Sequence, residues 1–203
     1  MLCVDDDPWA EYAEHWDDDA AGYADAAFGH LQQILADAGP PLDGAVVCDF
    51  GAGTGLLVER LVGRAARIDA VDSSPAMLDR IRAKIDANDW TTVRASAEVP
   101  GAGEVYDLIV CSSVLGFVDD RDAVVAALAG RLSPGGALVH WDWERIDDDG
   151  HGLTREEVRS ALTSAGLGDV RVGSAFTITI EGEPVTPMYG VGWHRRSGVG
   201  PGS

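Results

Sequence analysis

Basic residues are scarce in this chain: 15 Lys and Arg stand against 34 Asp and Glu, a formal net charge of -19. A phosphate backbone is held mainly by cations that displace its counterions, so this balance disfavours DNA and RNA as partners. Long apolar runs are missing as well. The hydrophobic residues come in pieces of strand length, short of the ~20 that cross a bilayer, so no membrane span is expected. The first residues, MLCVDDDPWAEYAEHWDDDA, carry acids where a secretory leader carries basic residues, and no apolar stretch follows, which predicts a cytoplasmic location. Cysteine is rare too. Cys3, Cys48 and Cys111 lie far apart and form no CxxC pair, which argues against a disulfide framework and a zinc site. Cys48 and Cys111 sit in apolar runs and read as small buried hydrophobes. The acidic runs 5–7, 17–19 and 147–149 read as solvated surface.

What the chain does have is 203 residues, enough for one domain with a sizeable core, and a regular alternation of patterns. Residues 1–44 read as a helical addition ahead of the main fold, with Trp9, Tyr12, Trp16, Tyr23, Ala27, Leu31, Ile34 and Leu35 at helical spacing before Gly39-Pro40-Pro41 stops the helix. Residues 45–196 form the principal domain, and 197–203, rich in Gly, Pro and Ser, read as a disordered tail. Within the principal domain, strand-like runs at 46–50, 68–71, 91–95, 106–111, 137–141, 169–180 and 188–195 are separated by amphipathic helical stretches. Strands apolar on both faces and separated by helices predict a doubly wound α/β fold, its mostly parallel seven-stranded sheet covered by helices on both faces. Too few residues separate the last two strands for a parallel crossover, so the C-terminal hairpin should be antiparallel.

The first strand runs into Asp49-Phe50-Gly51-Ala52-Gly53-Thr54-Gly55. Glycine is needed where a ligand approaches the backbone closely, and a strand-to-helix turn of a doubly wound fold is where ligands bind. The dinucleotide fingerprint G-x-G-x-x-G would need glycine at position 56, which is Leu56. Asp72 ends the second strand, where nucleotide folds hold a carboxylate for ribose hydroxyls. The loop has no Lys or Arg before Arg60, which suits a ligand ending in a sulfonium amino acid better than a pyrophosphate.

DFGAGTG, AVDSSPAML, SAEVP, YDLIVCSSVLGFVDD and LSPGGALV together resemble the class I S-adenosylmethionine-dependent methyltransferases, in particular their small-molecule branch, over roughly residues 45–143. The resemblance implies S-adenosyl-L-methionine as cofactor and S-adenosyl-L-homocysteine as product. It implies that Asp49, Gly51, Ala52, Gly53, Thr54 and Gly55 cradle the methionine part and that Asp72 binds the ribose. Ser73 and Met77 would flank the adenine, Ser96, Ala97 and Glu98 border its edge, and Cys111, Ser112 and Ser113 end the fourth strand beside the methionyl group. Ser96 departs from the family, which often has Asp there, so the bond to the adenine amino group would be weaker or come from a hydroxyl.

Methyl transfer from a sulfonium is an in-line displacement in which the protein mainly aligns the reactants and excludes water. Where a proton must leave the acceptor, a base helps. Candidates are His140 and Asp142 at the end of the fifth strand, then His15 and His151; for each, a plain structural role is the stronger alternative. Tyr12, His15, Trp16, Trp141 and Trp143 are candidates for a substrate pocket, with plain core packing as the alternative for the aromatics. The fourth strand is followed by CSSVLGF, without the Asn/Asp-Pro-Pro-Tyr/Phe motif of base and glutamine methylation, and it lacks the acid of the metal-dependent catechol enzymes, so no metal is expected. The expected partner is a small-molecule substrate, with no nucleic acid and no membrane. A protein or peptide methyltransferase, a nicotinamide-dependent reductase and a non-catalytic cofactor binder are the rivals.

Overall fold

Short β-branched runs bounded by glycine loops set the strands, and the amphipathic stretches between them set the helices. The computed structural model describes residues 7–101, 103–145, 152–180 and 182–195. After a 3-10 turn at Tyr12–Glu14, the elements are α1 (Trp16–Ala38), β1 (Val46–Phe50), α2 (Leu56–Leu61), β2 (Arg67–Val71), α3 (Pro75–Asn88), β3 (Val93–Ser96) and β4 (Tyr106–Ser112). Then follow α4 (Arg121–Ala129), β5 (Leu132–Asp142), α5 (Arg155–Ser164), β6 (Gly168–Ser174), β7 (Ile178–Ile180), β8 (Glu183–Val185) and β9 (Met188–Trp193).

Seven strands form one sheet in the order β3-β2-β1-β4-β5-β9-β6, parallel as far as β5. β9 pairs antiparallel with both β5 and β6, as the short connection predicts. The expected single strand at 169–180 is instead broken: β6 stops at Ser174, and β7 pairs only with β8 in a separate small hairpin. Ile178 and Ile180 are thus not strand residues of the main sheet, and their apolar alternation serves the surface of a cavity described below.

Helices cover both faces. Leu31 and Ile34 of α1, Val58 and Leu61 of α2 and Ile81 of α3 pack with Val47, Leu108 and Val139 on one side. Val125 and Leu128 of α4 with Val158 and Leu162 of α5 pack against Ile109, Cys111 and Leu138 on the other. The inner face of α1 is therefore core. The caps are those the sequence encodes: Ser74 accepts from the Met77 N–H ahead of Pro75, and Thr154 and Glu157 form a reciprocal capping box at the start of α5. Cys48 and Cys111 are buried free thiols, and burial pushes both well above the ordinary thiol range. Cys3, the 147–149 run, His151 and the 197–203 tail lie outside the described residues. No helix among the described residues is long and apolar enough to cross a membrane.

Candidate active site

Strand order reverses between β1 and β4, and the carboxyl ends of these two strands open a crevice where doubly wound folds bind ligands. The chain leaves β1 through Gly51, at φ +77, where an added Cβ would sit 2.6 Å from Val114. Gly53 is also left-handed, at φ +56, and the nearest atoms to an added Cβ belong to the Trp16 ring, Nε1 at 3.4 Å. A side chain at 53 would fill the space between loop and helix. The loop is fixed from β2: the Gly51 and Ala52 N–H groups donate to the Val71 carbonyl, and Gly53 N–H donates to Asp72 Oδ2 at 2.8 Å. Asp72 Oδ1 accepts from Ser74 N–H at 2.9 Å, so this carboxylate ties the glycine loop to the start of α3 while staying partly open to the cavity. Burial raises its pKa.

Two cavities meet at this loop. One, of about 260 Å³, runs past Phe50, Asp72, Ser73, Met77 and Ala97. The other, of about 540 Å³, runs under α1 past Asp49, Ala52, Leu57, Tyr23 and Trp143 and is edged by Ile178 and Ile180 of the small hairpin. Trp9, Trp16, Gly51, Gly53, Ser112, Ser113 and Phe117 line both. Ser113 has a left-handed backbone, φ 54, unusual for a non-glycine residue and held by its N–H bond to the Trp141 carbonyl at 2.8 Å. Its hydroxyl lies 3.3 Å from the Tyr23 hydroxyl.

Asp49 is the electrostatic centre. It is 1% exposed, and neither carboxylate oxygen has a hydrogen-bond partner. Burial, with Asp72 nearby, raises its pKa to about 7. The contrast with Asp69, two residues from the end of β2, is instructive: that carboxylate is also buried but is held by Arg94 at 2.6 and 2.8 Å and by the Tyr106 hydroxyl at 2.9 Å. An unpaired buried carboxylate is costly unless something cationic completes it. The orphaned oxygens, the glycine cradle and the two joined cavities fit a ligand with a nucleoside at one end and a cationic amino acid at the other.

Sequence-expected residues divide clearly. Asp49, Gly51, Ala52, Gly53, Asp72, Ser73, Met77, Ala97, Ser112 and Ser113 line one or both cavities, as do Tyr12, Trp16 and Trp143. Others of the expected set are elsewhere. Thr54 is buried and gives its hydroxyl proton to Asp17 at 2.5 Å; Gly55 packs against Ile81, which an added Cβ would approach to 2.7 Å. The Ser96 hydroxyl donates to the Glu98 carbonyl at 2.8 Å, closing its own loop, and neither residue lines the crevice. Cys111 faces the α4 and α5 side. His15 is exposed outside both cavities.

The two residues expected as bases are also corrected. His140 points into the packing between β5 and the helices α4 and α5, beside Leu115, Val125 and Val158, on the face away from the cavities. It is 1% exposed, its Nδ1 has no partner, and burial with Arg121 nearby lowers its pKa to about 4. Asp142 accepts from the Gly116 and Trp143 N–H groups, both at 2.9 Å, and so holds the loop after β4. Trp141, on the opposite face of the same strand, is fully buried and donates Nε1–H to His30 Nδ1 at 3.0 Å; it is core, not pocket. Tyr23, Trp9 and Phe117 were not singled out for the pocket. Their helical or isolated aromatic positions carry no motif, and only the exposure of Phe117, 59%, marks it as unusual for its type.

A sheet of this order with a cradle at its switch point defines the class I methyltransferase fold. N-methyltransferase NodS from Bradyrhizobium japonicum WM9, in complex with S-adenosyl-L-homocysteine, shares it with a TM-score of 0.66 at 21% identity, covering 93% of this chain and 92% of that one. Residues 48–138 match the family model described as a methyltransferase domain. It is 30% identical over 125 residues to trans-aconitate 2-methyltransferase of Paracidovorax citrulli, covering 61% of this chain and 48% of that protein. It is also 30% identical over 130 residues to ubiquinone biosynthesis O-methyltransferase of Xanthomonas campestris pv. campestris, covering 61% and 53%. The chain thus spans about half the length of these curated relatives.

Proposed function

We propose that the protein transfers the methyl group of S-adenosyl-L-methionine to a small-molecule acceptor, in a cytoplasmic setting. The observation that carries this reading is the buried, unpartnered Asp49 on the wall of the larger cavity, at the start of a glycine loop that Asp72 fixes in place and that lines both cavities. The smaller cavity has the residues for adenosine: Asp72 for the ribose, Met77 and Ala97 around the base. Asp49 would face the cationic amino-acid end, and Ser112 and Ser113 would flank it.

The cofactor, when bound, supplies an activated methyl group on a sulfonium. The chain's own residues then have to orient the acceptor and keep water out. Residues 7–23 act as a lid, with Trp9, Tyr12 and Trp16 over the crevice. The lid is pinned where it matters: Asp17 receives the Thr54 hydroxyl and pairs with Lys84 at 2.8 Å, and Lys84 pairs with Glu59 at 2.7 Å. An aromatic roof over the larger cavity supports a small acceptor rather than a peptide laid across an open groove.

The reading is tested by calorimetric titration with S-adenosylhomocysteine, with a reduced nicotinamide dinucleotide as control. Micromolar binding of the first and none of the second is expected; the reverse pattern overturns the assignment. Asp72→Ala is expected to weaken S-adenosylhomocysteine binding by about 1–3 kcal/mol, because it removes both the ribose acceptor and the acceptor of Gly53 N–H. Unchanged affinity would remove Asp72 from the site.

A further inference from the structure

The larger cavity is walled by aromatic rings, and no Lys or Arg stands on its wall among the described residues. Trp16, Tyr12 and Phe117 stand at its mouth, Tyr23 and Trp143 lie deeper with ring centroids 5.9 Å apart, and the only carboxylates on its described wall are Asp19 and Asp49. Of the cations near the lid, Lys84 is engaged by Asp17 and Glu59 and Arg60 by Asp25 at 2.6 Å, and Arg80, which acts on Asp17, is not on the cavity wall. Outside the described residues the sequence contains further acids and one Arg, Arg196.

An anionic acceptor entering this cavity would lose its hydration and meet the Asp19 carboxylate with no basic side chain on the described wall to offset the desolvation cost, while Asp49 is taken up by the cofactor's cationic end. A cation would instead meet ring faces and negative charge, both attractive. We propose that the acceptor is a ring-bearing lipophilic amine that is methylated on nitrogen. The inference rests on the methyltransferase reading and adds the substrate class to it.

The chemistry agrees with the wall. The neutral amine nitrogen attacks with its lone pair, a nitrogen–carbon bond forms, the carbon–sulfur bond breaks, and its electron pair stays on sulfur as a neutral thioether. Positive charge passes from sulfur to nitrogen and remains inside the same negative, aromatic-walled site, and the extra proton then leaves to water past Asp19. A hydroxyl acceptor would need a base to become an oxyanion, and no histidine stands among the described cavity residues. The tricarboxylic acid in the name of the Paracidovorax relative is the opposite kind of molecule, so the acceptor halves of the two proteins should differ.

The test uses the full chain. Binding of S-adenosylhomocysteine is measured first; its absence overturns the methyltransferase reading and this proposal with it. On protein saturated with that ligand, 2-phenylethylamine, 2-phenylethanol and 3-phenylpropionate are compared by calorimetric titration, then the larger tryptamine, tryptophol and indole-3-propionate. The amines are expected to bind about tenfold more tightly than the carboxylates of the same frame, with the gap shrinking in high salt. Mass spectrometry with S-adenosylmethionine should find methyl transfer to amines only. Asp19→Lys, a change at an exposed rim position, should erase the preference while leaving S-adenosylhomocysteine binding intact. Carboxylates or alcohols binding as well as amines, an unchanged preference in Asp19→Lys, or binding of S-adenosylhomocysteine with none of the six compounds would each overturn the amine assignment alone.

Discussion

Asp49→Asn is expected to raise the melting temperature at pH 8 while weakening cofactor binding. In the folded chain burial lifts this carboxyl from 3.8 to about 7. The folded state therefore binds more protons than the unfolded chain between those values, and stability falls as pH rises through that window, with the full penalty present above about 7. Each pH unit between the two values is worth about 1.4 kcal/mol, so the ionised carboxylate costs on the order of 4 kcal/mol. Asparagine has nearly the same shape and no charge, and for a domain of this size removal of that cost corresponds to roughly 5–15 °C in Tm.

The same charge is what a sulfonium and an ammonium would meet, so the stabilised variant should bind S-adenosylmethionine at least about tenfold more weakly, or 1.4 kcal/mol. Wild-type affinity should increase from pH 6 to pH 8 as Asp49 ionises, and the variant's should stay flat. His140 tilts the opposite way: its folded pKa of about 4 lies below the ordinary 6.5, so its contribution is lost as pH falls between those values. In the wild type the two slopes oppose each other between pH 4 and 6.5. Asp49→Asn should leave only the histidine slope and a sharper acid transition. Thermal scans at pH 5 and 8 measure this, and a variant no more stable than wild type at pH 8 would mean that Asp49 is not an uncompensated buried charge.

Gly53→Val should abolish cofactor binding while the protein still folds. The backbone at 53 is left-handed, where a β-branched residue is strained by about 1–3 kcal/mol, a loss a domain of this size can survive. The new methyl groups would occupy the gap between the loop and the Trp16 indole. Affinity for S-adenosylhomocysteine should fall roughly a hundredfold or more, about 3 kcal/mol. Circular dichroism and Tm establish folding, and calorimetry reads the affinity; a folded variant with ordinary binding would show that the ligand lies elsewhere. Gly53→Ala should fall between the two.

The sheet and the cradle were legible because each depended on local pattern. VVCDF at 46–50 is continuous apolar sequence up to an acid, and it is β1 residue for residue. The glycine loop and Asp72 were readable because close backbone approach and a strand-ending carboxylate leave fixed residue types at fixed spacing. The placement of His140 and Asp142 was not legible, for a reason equally local. Residues 140, 141 and 142 alternate between the two faces of β5, and nothing in VHWDW tells which face carries the crevice; the structure turns His140 toward α4 and α5 and Trp141 toward α1. The break of 169–180 was hidden because Ile178 and Ile180 alternate like strand residues, although they edge a cavity. The lid clamp of Thr54, Asp17 and Lys84 joins residues from two helices and the loop before α2, and such long-range pairing has no signature in one sequence.

The β7–β8 hairpin interrupts the link between β6 and β9, and it meets the lid at the same cavity from the other end of the chain. Both are additions to the sheet's margins rather than parts of its central order. Insertions and deletions in such segments cost a fold little, since loop closure entropy grows only slowly with length. These two margins can therefore change in length and sequence without disturbing the glycine loop and Asp72 at the centre of the sheet.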